Sequence, residues 1–286
     1  AFVDTQGLGR TDKLVGEVVL QVYDSARCHL NPEKWLDKCL RDADVQGVSE
    51  ASQTVWGRFL MDDLFGYLDG QIDVFRKCVQ LAEKAEGMQK PAVNLRDTLY
   101  QLEHLRDAAT WDEIIARKAI AYGSLVFPRK GIDKELAERI KACRNVCKEG
   151  LAKRLRNFED PSDQVLQDLS QSTAATRGLI ALVRQFGADY DRAKRIRRCV
   201  DFGDLEHKTL DLLMGTSRSG PTVAAREISQ RFREIMVDEY QDSNGVQDAI
   251  FMTLTNQRQN CFMVGDVKQS IYRFRLADPG IFLEKY

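Results

Sequence analysis

The sequence has no excess of charge of either sign. Its 42 lysines and arginines nearly balance 43 aspartates and glutamates, which gives a formal net charge of −1 at pH 7. Binding of nucleic acid through overall charge is therefore excluded, and any such attraction has to come from local basic patches. A secretory signal pattern and an apolar run long enough to cross a membrane are also absent. With 30% charged and 43% apolar residues, the composition is typical of a soluble protein with a sizeable core.

The cysteines lack the regular spacing of a disulfide framework or a zinc site. There are seven of them, an odd number, at irregular intervals. Cys143 and Cys147 are four residues apart on an apolar helical stripe, which favours two core positions over a metal or redox role. This usage indicates a reducing compartment, and we expect the protein to be cytoplasmic.

Most of the chain has the periodicity of amphipathic helices. Its 286 residues are enough for one large domain or two. The predicted helices cover 12–28, a segment from Pro32 through Leu36, 50–86, a segment from Leu95 to Leu105, 111–122, 132–158 and 163–198. The pattern changes near residue 200. We therefore predict a mostly α fold, with a helical region followed by a smaller α/β segment.

The two longest predicted helices are separated by only a few residues, Asp160-Pro161-Ser162. This spacing predicts an antiparallel helical hairpin that projects as an arm. The second helix of the pair ends in a basic cluster made of Arg192, Lys194, Arg195, Arg197 and Arg198. A solvated surface is the simplest interpretation of such a cluster, although its density exceeds what solvation requires.

Two short apolar runs in the last part of the chain predict buried parallel strands. They cover 235–237 and 262–264, and a predicted helix at 244–255 lies between them. Further helices are predicted at 204–214 and 222–234. The strand–helix–strand order implies a parallel crossover.

Each predicted strand ends abruptly in polar residues, which we expect to meet on one rim of the sheet. Asp238 and Glu239 follow the first strand, and Asp266 and Gln269 follow the second. In open α/β sheets ligands bind just beyond the carboxyl ends of the strands. Of two adjacent carboxylates, one can hold a hard cation such as magnesium while the other orients or deprotonates a water. The alternative is that Asp-Glu only caps the following helix.

The amino-acid sequences of these segments resemble those of a known family. VDEYQD, followed by GDVKQSIYRFR, is similar to motifs II and III of superfamily-one DNA helicases of the UvrD/Rep/PcrA type. The longer string VGDVKQSIYRFRLADP, with FLEKY after it, resembles AddA-type helicase–nuclease proteins of the bacterial AddAB (RexAB) complex, which repairs double-strand breaks. The segment from Val200 to Glu206 is similar to the one that precedes motif II in these helicases. The strong resemblance covers roughly residues 199–286.

The resemblance implies a fold and an activity. Residues 1–198 would be a helical accessory insertion of the first motor domain, and 199–286 a partial RecA-like ATPase segment with motifs II and III. The parent protein would be an ATP-dependent DNA helicase or translocase, using ATP and Mg²⁺, with a nuclease domain elsewhere. Its partners would be single-stranded DNA in the motor groove, duplex DNA near the helical arm, and an AddB-like subunit.

The resemblance also implies roles for single residues. Asp238 would hold magnesium, Glu239 would activate the attacking water, and Gln269 would sense the γ-phosphate. Tyr272 and Phe274 would meet single-stranded bases, although burial under the sheet is an alternative for both. The residues expected to contact DNA are therefore Tyr272, Phe274, Arg275, Arg195, Arg197 and Arg198. Phe274 stands where UvrD-type helicases usually have Trp, which favours the AddA-like and RecB-like members.

A phosphate-binding loop of the form G-x-x-x-x-G-K-[ST] is missing from the sequence. The nearest candidate, Gly7-Leu-Gly9-Arg10-Thr11, has neither the spacing nor the ending. We therefore expect an internal fragment that is inactive alone, binds no ATP or Mg²⁺ by itself, and could self-associate through strands that lack neighbours. The alternatives are a non-enzymatic helical DNA-binding or partner-docking module, and a RecB-like or UvrD-like repair helicase.

Overall fold

The computed structural model describes residues 13–127, 131–255, 259–270 and 277–285. Helices predominate, and the strands found in these ranges form a single parallel pair. The prediction of a mostly α chain with a small parallel-strand segment is confirmed. In the ranges described, no helix combines the length and the apolar character needed to cross a membrane.

The secondary structure divides between two compact units. The helices are α1 (Lys13–Arg27), α2 (Pro32–Ala43), α3 (Val55–Lys84), α4 (Gln89–Arg106), α5 (Trp111–Arg117), α6 (Lys134–Leu155), α7 (Ser162–Arg197), α8 (Phe202–Met214), α9 (Val223–Ser229), α10 (Gly245–Leu254) and α11 (Pro279–Leu283). The strands are β1 (Ile235–Val237) and β2 (Cys261–Met263). Residues 42–172 form the helical unit. The described residues up to Arg41 and those from Thr173 onward form the strand-bearing unit.

The helical unit is built around α3. Apolar side chains recur along this helix at helical spacing, and Leu64 and Leu68 have no exposed surface. Helices α4 and α6 pack along it. The helix begins where Thr54 Oγ1 accepts a hydrogen bond from the Gly57 amide at 2.8 Å, which satisfies one of the unpaired donors of the first turn.

Helix α6 packs along α3, a neighbour that the sequence did not identify. Its apolar stripe, which includes Ile140, Cys147 and Leu151, is buried in the core of the helical unit, where α3 covers it. The sequence had paired this helix with the following long helix in a hairpin, and that hairpin stays a prediction. Periodicity identifies the buried face of a helix but not its neighbour, because the pattern is the same whichever helix covers it.

Two predicted helices end early. The helix predicted over 111–122 ends at Arg117, and residues 118–127 have no regular secondary structure. Gln101 of α4 holds this segment, because its Oε1 accepts a hydrogen bond from the Ala121 amide at 2.7 Å. The helix predicted to reach residue 234 ends at Ser229. Tertiary contacts and turns therefore limit helices that periodicity alone extends.

The strand-bearing unit contains the parallel pair, in a register that places Ile235 opposite Cys261. Strand β2 thus begins one residue earlier than predicted. Met236 and Phe262 are opposite each other and are 72% and 65% exposed, whereas the flanking strand residues are half-buried. One face of this small sheet therefore carries uncovered apolar side chains, so the prediction that both strands are buried is wrong for this face. Self-association through strands that lack neighbours stays a prediction.

Truncation of a central leucine of α3 tests the packing of the helical unit. Leu64→Ala removes a side chain with no exposed surface, and we expect it to lower the free energy of unfolding by about 2–5 kcal/mol. Leu81→Ala, on the same helix at 44% exposure, is the matched control and should change it by less than about 0.5 kcal/mol. Urea denaturation followed by circular dichroism measures both. Equal effects would contradict the assigned core.

Candidate functional site

The two strand ends lie side by side. The amide of Val264 donates to the carbonyl of Val237 at 2.9 Å, and the amide of Tyr240 donates to the carbonyl of Val264 at 2.9 Å. These bonds continue the pairing of β1 and β2 past the last strand residues. Consequently the segment Asp238–Glu239 and the segment Gly265–Asp266 leave the sheet at the same edge.

The backbone at Glu239 is in the left-handed region, with φ 51° and ψ 42°. This conformation is unfavourable for a residue with a Cβ, by roughly 1–2 kcal/mol. The Asp238 carboxylate stabilises the turn, because its Oδ1 accepts a hydrogen bond from the Glu239 amide at 2.9 Å. Both acidic side chains remain exposed at the strand end. The chain thus accepts local strain where it presents two adjacent carboxylates.

A buried glutamine, for which the sequence predicted no role, connects the two strand ends. Gln241 is 1% exposed. Its Nε2 donates to Glu239 Oε2 at 2.6 Å, and its Oε1 accepts from the Asp266 amide at 3.0 Å. A neutral amide among the acidic residues after a strand is the signal that the sequence carries, and it does not show which groups the amide meets.

Asp266 extends this connection into the turn Val267–Gln269. Its Oδ1 accepts from the Lys268 amide at 2.9 Å, and its Oδ2 accepts from Gln269 Nε2 at 3.1 Å. A continuous hydrogen-bonded path therefore runs from Glu239 through Gln241 and Asp266 to Gln269; we call it the strand-end path. Asp238 joins it through the amide of Glu239.

The strand ends offer the oxygen ligands that magnesium prefers, but few of them. Asp238 is exposed and has one carboxylate oxygen outside its bond to the Glu239 amide. In the ranges described, no group of three or more His, Cys, Asp or Glu side chains is placed to hold a metal by itself. Magnesium keeps several waters and is commonly held by one or two carboxylates together with phosphate oxygens. The donor set thus fits a cation that arrives with a phosphate ligand.

Three of the predicted site residues, Tyr272, Phe274 and Arg275, lie outside the described residues. Their assigned contacts with DNA stay predictions.

The arginines of the predicted DNA-facing cluster occupy the end of α7. Arg195, Arg197 and Arg198 are exposed. Arg198 has a positive φ of 54°. The helix ends with two hydrogen bonds of 3.1 Å, from the Arg198 amide to the Arg195 carbonyl and from the Cys199 amide to the Lys194 carbonyl. Cations in the last turn also favour the negative end of the helix dipole. The cluster therefore has a structural role besides the DNA contact that the sequence predicted.

Lys194 differs from the arginines beside it because it is buried. Its side chain is 7% exposed, and Nζ lies 3.2 Å from Asp191, 3.0 Å from Asp201 and 2.7 Å from Asp204. Burial lowers the pKa of this ammonium, but hydrogen bonds to the three carboxylates outweigh burial and raise it. Burial raises the pKa of Asp201, but the hydrogen bonds from the Asp204 amide and from Lys194 lower it by more, so the net shift is downward. Lys194 thus joins the end of α7 to the start of α8.

Comparison with known proteins identifies the class to which this arrangement belongs. Residues 73–286 match the model of the UvrD/REP helicase N-terminal domain. Because that match covers most of the sequence, the chain belongs to the UvrD/REP helicase family.

The individual relatives agree with this assignment, and each of them carries the name of an ATP-dependent helicase/nuclease subunit. The chain is 36% identical, over its whole length, to the protein of this name from Pelotomaculum thermopropionicum. It is 33% and 34% identical to those from Bacillus cytotoxicus and Bacillus cereus, again over its whole length. In each case it spans 24% of the relative's own length.

Removal of the Lys194 ammonium tests the buried ion cluster. Lys194→Met removes the shared cation from Asp191 and Asp201 and leaves Asp204 paired with Arg27, so it should destabilise the strand-bearing unit by about 1–3 kcal/mol at pH 7. Folding lowers the pKa of Asp201, so this residue stabilises the fold fully at pH values above its pKa in the unfolded chain. The stabilisation is lost as the pH falls through its pKa in the folded chain. The difference between the variant and the wild type should therefore shrink at pH 3. Exposed Lys208→Met is the control, and urea denaturation at both pH values measures the effect. An unchanged free energy of unfolding in Lys194→Met would refute this role.

Proposed function

We propose that the chain is part of an ATP-dependent DNA helicase or translocase and supplies part of its ATP-hydrolysing site. The observation that carries the proposal is the strand-end path, which connects Glu239 to Gln269 at the carboxyl ends of two parallel strands. Ligands of open α/β sheets bind at such an edge. Membership of the UvrD/REP helicase family, and the names of the relatives, support the same conclusion.

Three residues at the strand ends have distinct roles in this proposal. Asp238 holds the magnesium ion that accompanies ATP, and that ion neutralises phosphate charge when bound. Glu239 orients and deprotonates the attacking water, and Gln269 contacts the γ-phosphate. The exposure of Asp238 and Glu239 supports these roles, because a phosphate ligand can reach both carboxylates from solvent.

The domain assignment is likewise a proposal. Residues 1–198 form the helical accessory region of a motor domain, and residues 199–286 form part of its RecA-like ATPase segment. The compact helical unit at 42–172 and the parallel strands after residue 199 support this division. The compact units themselves divide elsewhere, since the first helices group with the strand-bearing unit.

The proposed partners follow from the same family. Arg195, Arg197 and Arg198 contact duplex DNA, while Tyr272, Phe274 and Arg275 contact single-stranded DNA. The relatives are each named as one subunit of a helicase/nuclease, which supports a second, AddB-like subunit for the whole protein. We place the assembled enzyme in the cytoplasm, acting in the repair of double-strand breaks.

Replacement of the proposed base tests the hydrolytic role. In the full-length protein, Glu239→Gln should leave ATP and DNA affinity within about threefold and reduce the turnover of ATP by about 10²–10⁴-fold, because only the proton acceptor is removed. Glu234→Gln, an exposed glutamate just before β1, is the matched control and should retain wild-type turnover. Phosphate release and nucleotide titration provide the measurements. Normal turnover in Glu239→Gln would sink the assignment.

Charge reversal at the end of α7 tests the DNA contact. Replacing Arg195, Arg197 and Arg198 together with Glu should weaken duplex binding and reduce the slope of log affinity against log salt by about three, since each phosphate contact releases counterions. The control reverses Lys77, Lys84 and Lys90, which are also exposed and give the same change in net charge. Fluorescence anisotropy across a salt series measures both. If the two triple variants behave alike, the cluster serves the helix end and solvation only.

A further inference from the structure

Gln241 occupies a position that neither the proposed base nor the proposed phosphate sensor explains. It lies between them, almost fully buried, and both ends of its amide are used. From this geometry we propose that Gln241 is a positioning residue: it holds Glu239 in its hydrolytic orientation and makes that orientation depend on the segment after β2. The inference rests on the proposed function and names a further residue of the same site.

The chemistry of the connection requires an amide. At one end a donor meets the Glu239 carboxylate at 2.6 Å, and at the other an acceptor meets the Asp266 amide at 3.0 Å. Glutamate at this position would keep the acceptor and place a second carboxylate against Glu239. Methionine has a similar shape and supplies neither group. A charge-assisted hydrogen bond of this kind is stronger than a neutral one and also directional, which suits it to fixing the orientation of a carboxylate.

The surroundings leave Gln241 little freedom. A Cβ built on Gly265 would lie 2.4 Å from Gln241 Oε1 and 3.2 Å from its backbone nitrogen. Tyr240 beside it is 1% exposed, and Ser243 is also buried. The Ser243 carbonyl accepts the Asp278 amide at 3.0 Å. The glutamine therefore cannot move aside without moving its backbone or breaking one of its bonds.

Because of this close packing, Gln241 can transmit movement from one strand end to the other. A displacement of Gly265 or Asp266 pushes or releases Gln241 Oε1, and the opposite end of the same amide holds Glu239 Oε2. The turn Val267–Gln269 donates two hydrogen bonds to the Asp266 carboxylate and one to its carbonyl, so a shift of that turn is carried to the same point. The segment that leads to the proposed DNA contacts is thereby coupled to the water-activating carboxylate through one side chain.

Two substitutions in the full-length protein test the proposal. Gln241→Met should lower the DNA-stimulated kcat for ATP by about 10- to 100-fold, since the base loses its orientation, with KM for ATP within about threefold of wild type. The ratio of DNA-stimulated to basal turnover should fall toward one. Gln241→Glu should in addition move the acidic limb of the kcat–pH profile to higher pH, because two carboxylates in contact retain a proton.

The matched control is Gln247→Glu. Gln247 Nε2 donates to Glu206 Oε1 at 2.8 Å, so the substitution creates the same carboxylate pair within the same unit, away from the strand ends. It should leave the DNA stimulation and the pH profile at wild-type values. Thermal unfolding of every variant separates loss of positioning from loss of the fold, because a purely structural role lowers Tm without moving the acidic limb.

Gly265→Ala provides an independent variant that leaves the hydrogen-bonding groups of Glu239, Gln241 and Asp266 unchanged. Its new methyl group meets Gln241 Oε1, so it should reproduce the reduced DNA stimulation of Gln241→Met, and it decides the question if that variant does not fold. Wild-type stimulation in folded Gln241 and Gly265 variants would overturn the positioning role while leaving the ATPase proposal intact. Absence of DNA-dependent ATP hydrolysis in the wild-type protein would instead overturn the proposed function.

Discussion

The parallel pairing of two three-residue strands determines where the polar residues of the candidate site lie. Because Val237, Val264 and Tyr240 continue the ladder past the last strand positions, the two chain segments leave the sheet together. Each segment then turns at once, one through the left-handed Glu239 and the other through the turn capped by Asp266. A shift of one residue in this register would separate Gln241 from Asp266 and disconnect the strand ends.

Several features of this arrangement could be predicted from sequence because they depend on short, local patterns. The apolar runs and the abrupt polar residues after them indicated the strands, their parallel pairing and the common edge of Asp238, Glu239, Asp266 and Gln269. Gln241 could not be predicted in the same way. Its proposed positioning role depends on the strand register and on the left-handed backbone at Glu239, which directs the chain back toward Val264, and neither is visible in residue types.

The helical region shows a similar limit. Spacing identified the apolar stripe of α6 but could not tell that α3 covers it, since amphipathic patterns do not specify partners. Charge counting grouped Lys194 with the neighbouring arginines, although the structure buries it among three aspartates that lie before and after it in sequence. Basic residues in one run can therefore differ in their surroundings: the buried lysine binds three carboxylates, whereas the arginines beside it are exposed.

The proposed function requires the two strand ends to act as one hydrogen-bonded unit where the nucleotide binds. Hydrogen–deuterium exchange of the full-length protein, with and without a non-hydrolysable ATP analogue and magnesium, tests it most directly. We predict that peptides covering 238–243 and 264–270 gain protection together when the analogue binds, because Gln241 connects them. Protection of one peptide without the other, or of neither, would contradict it.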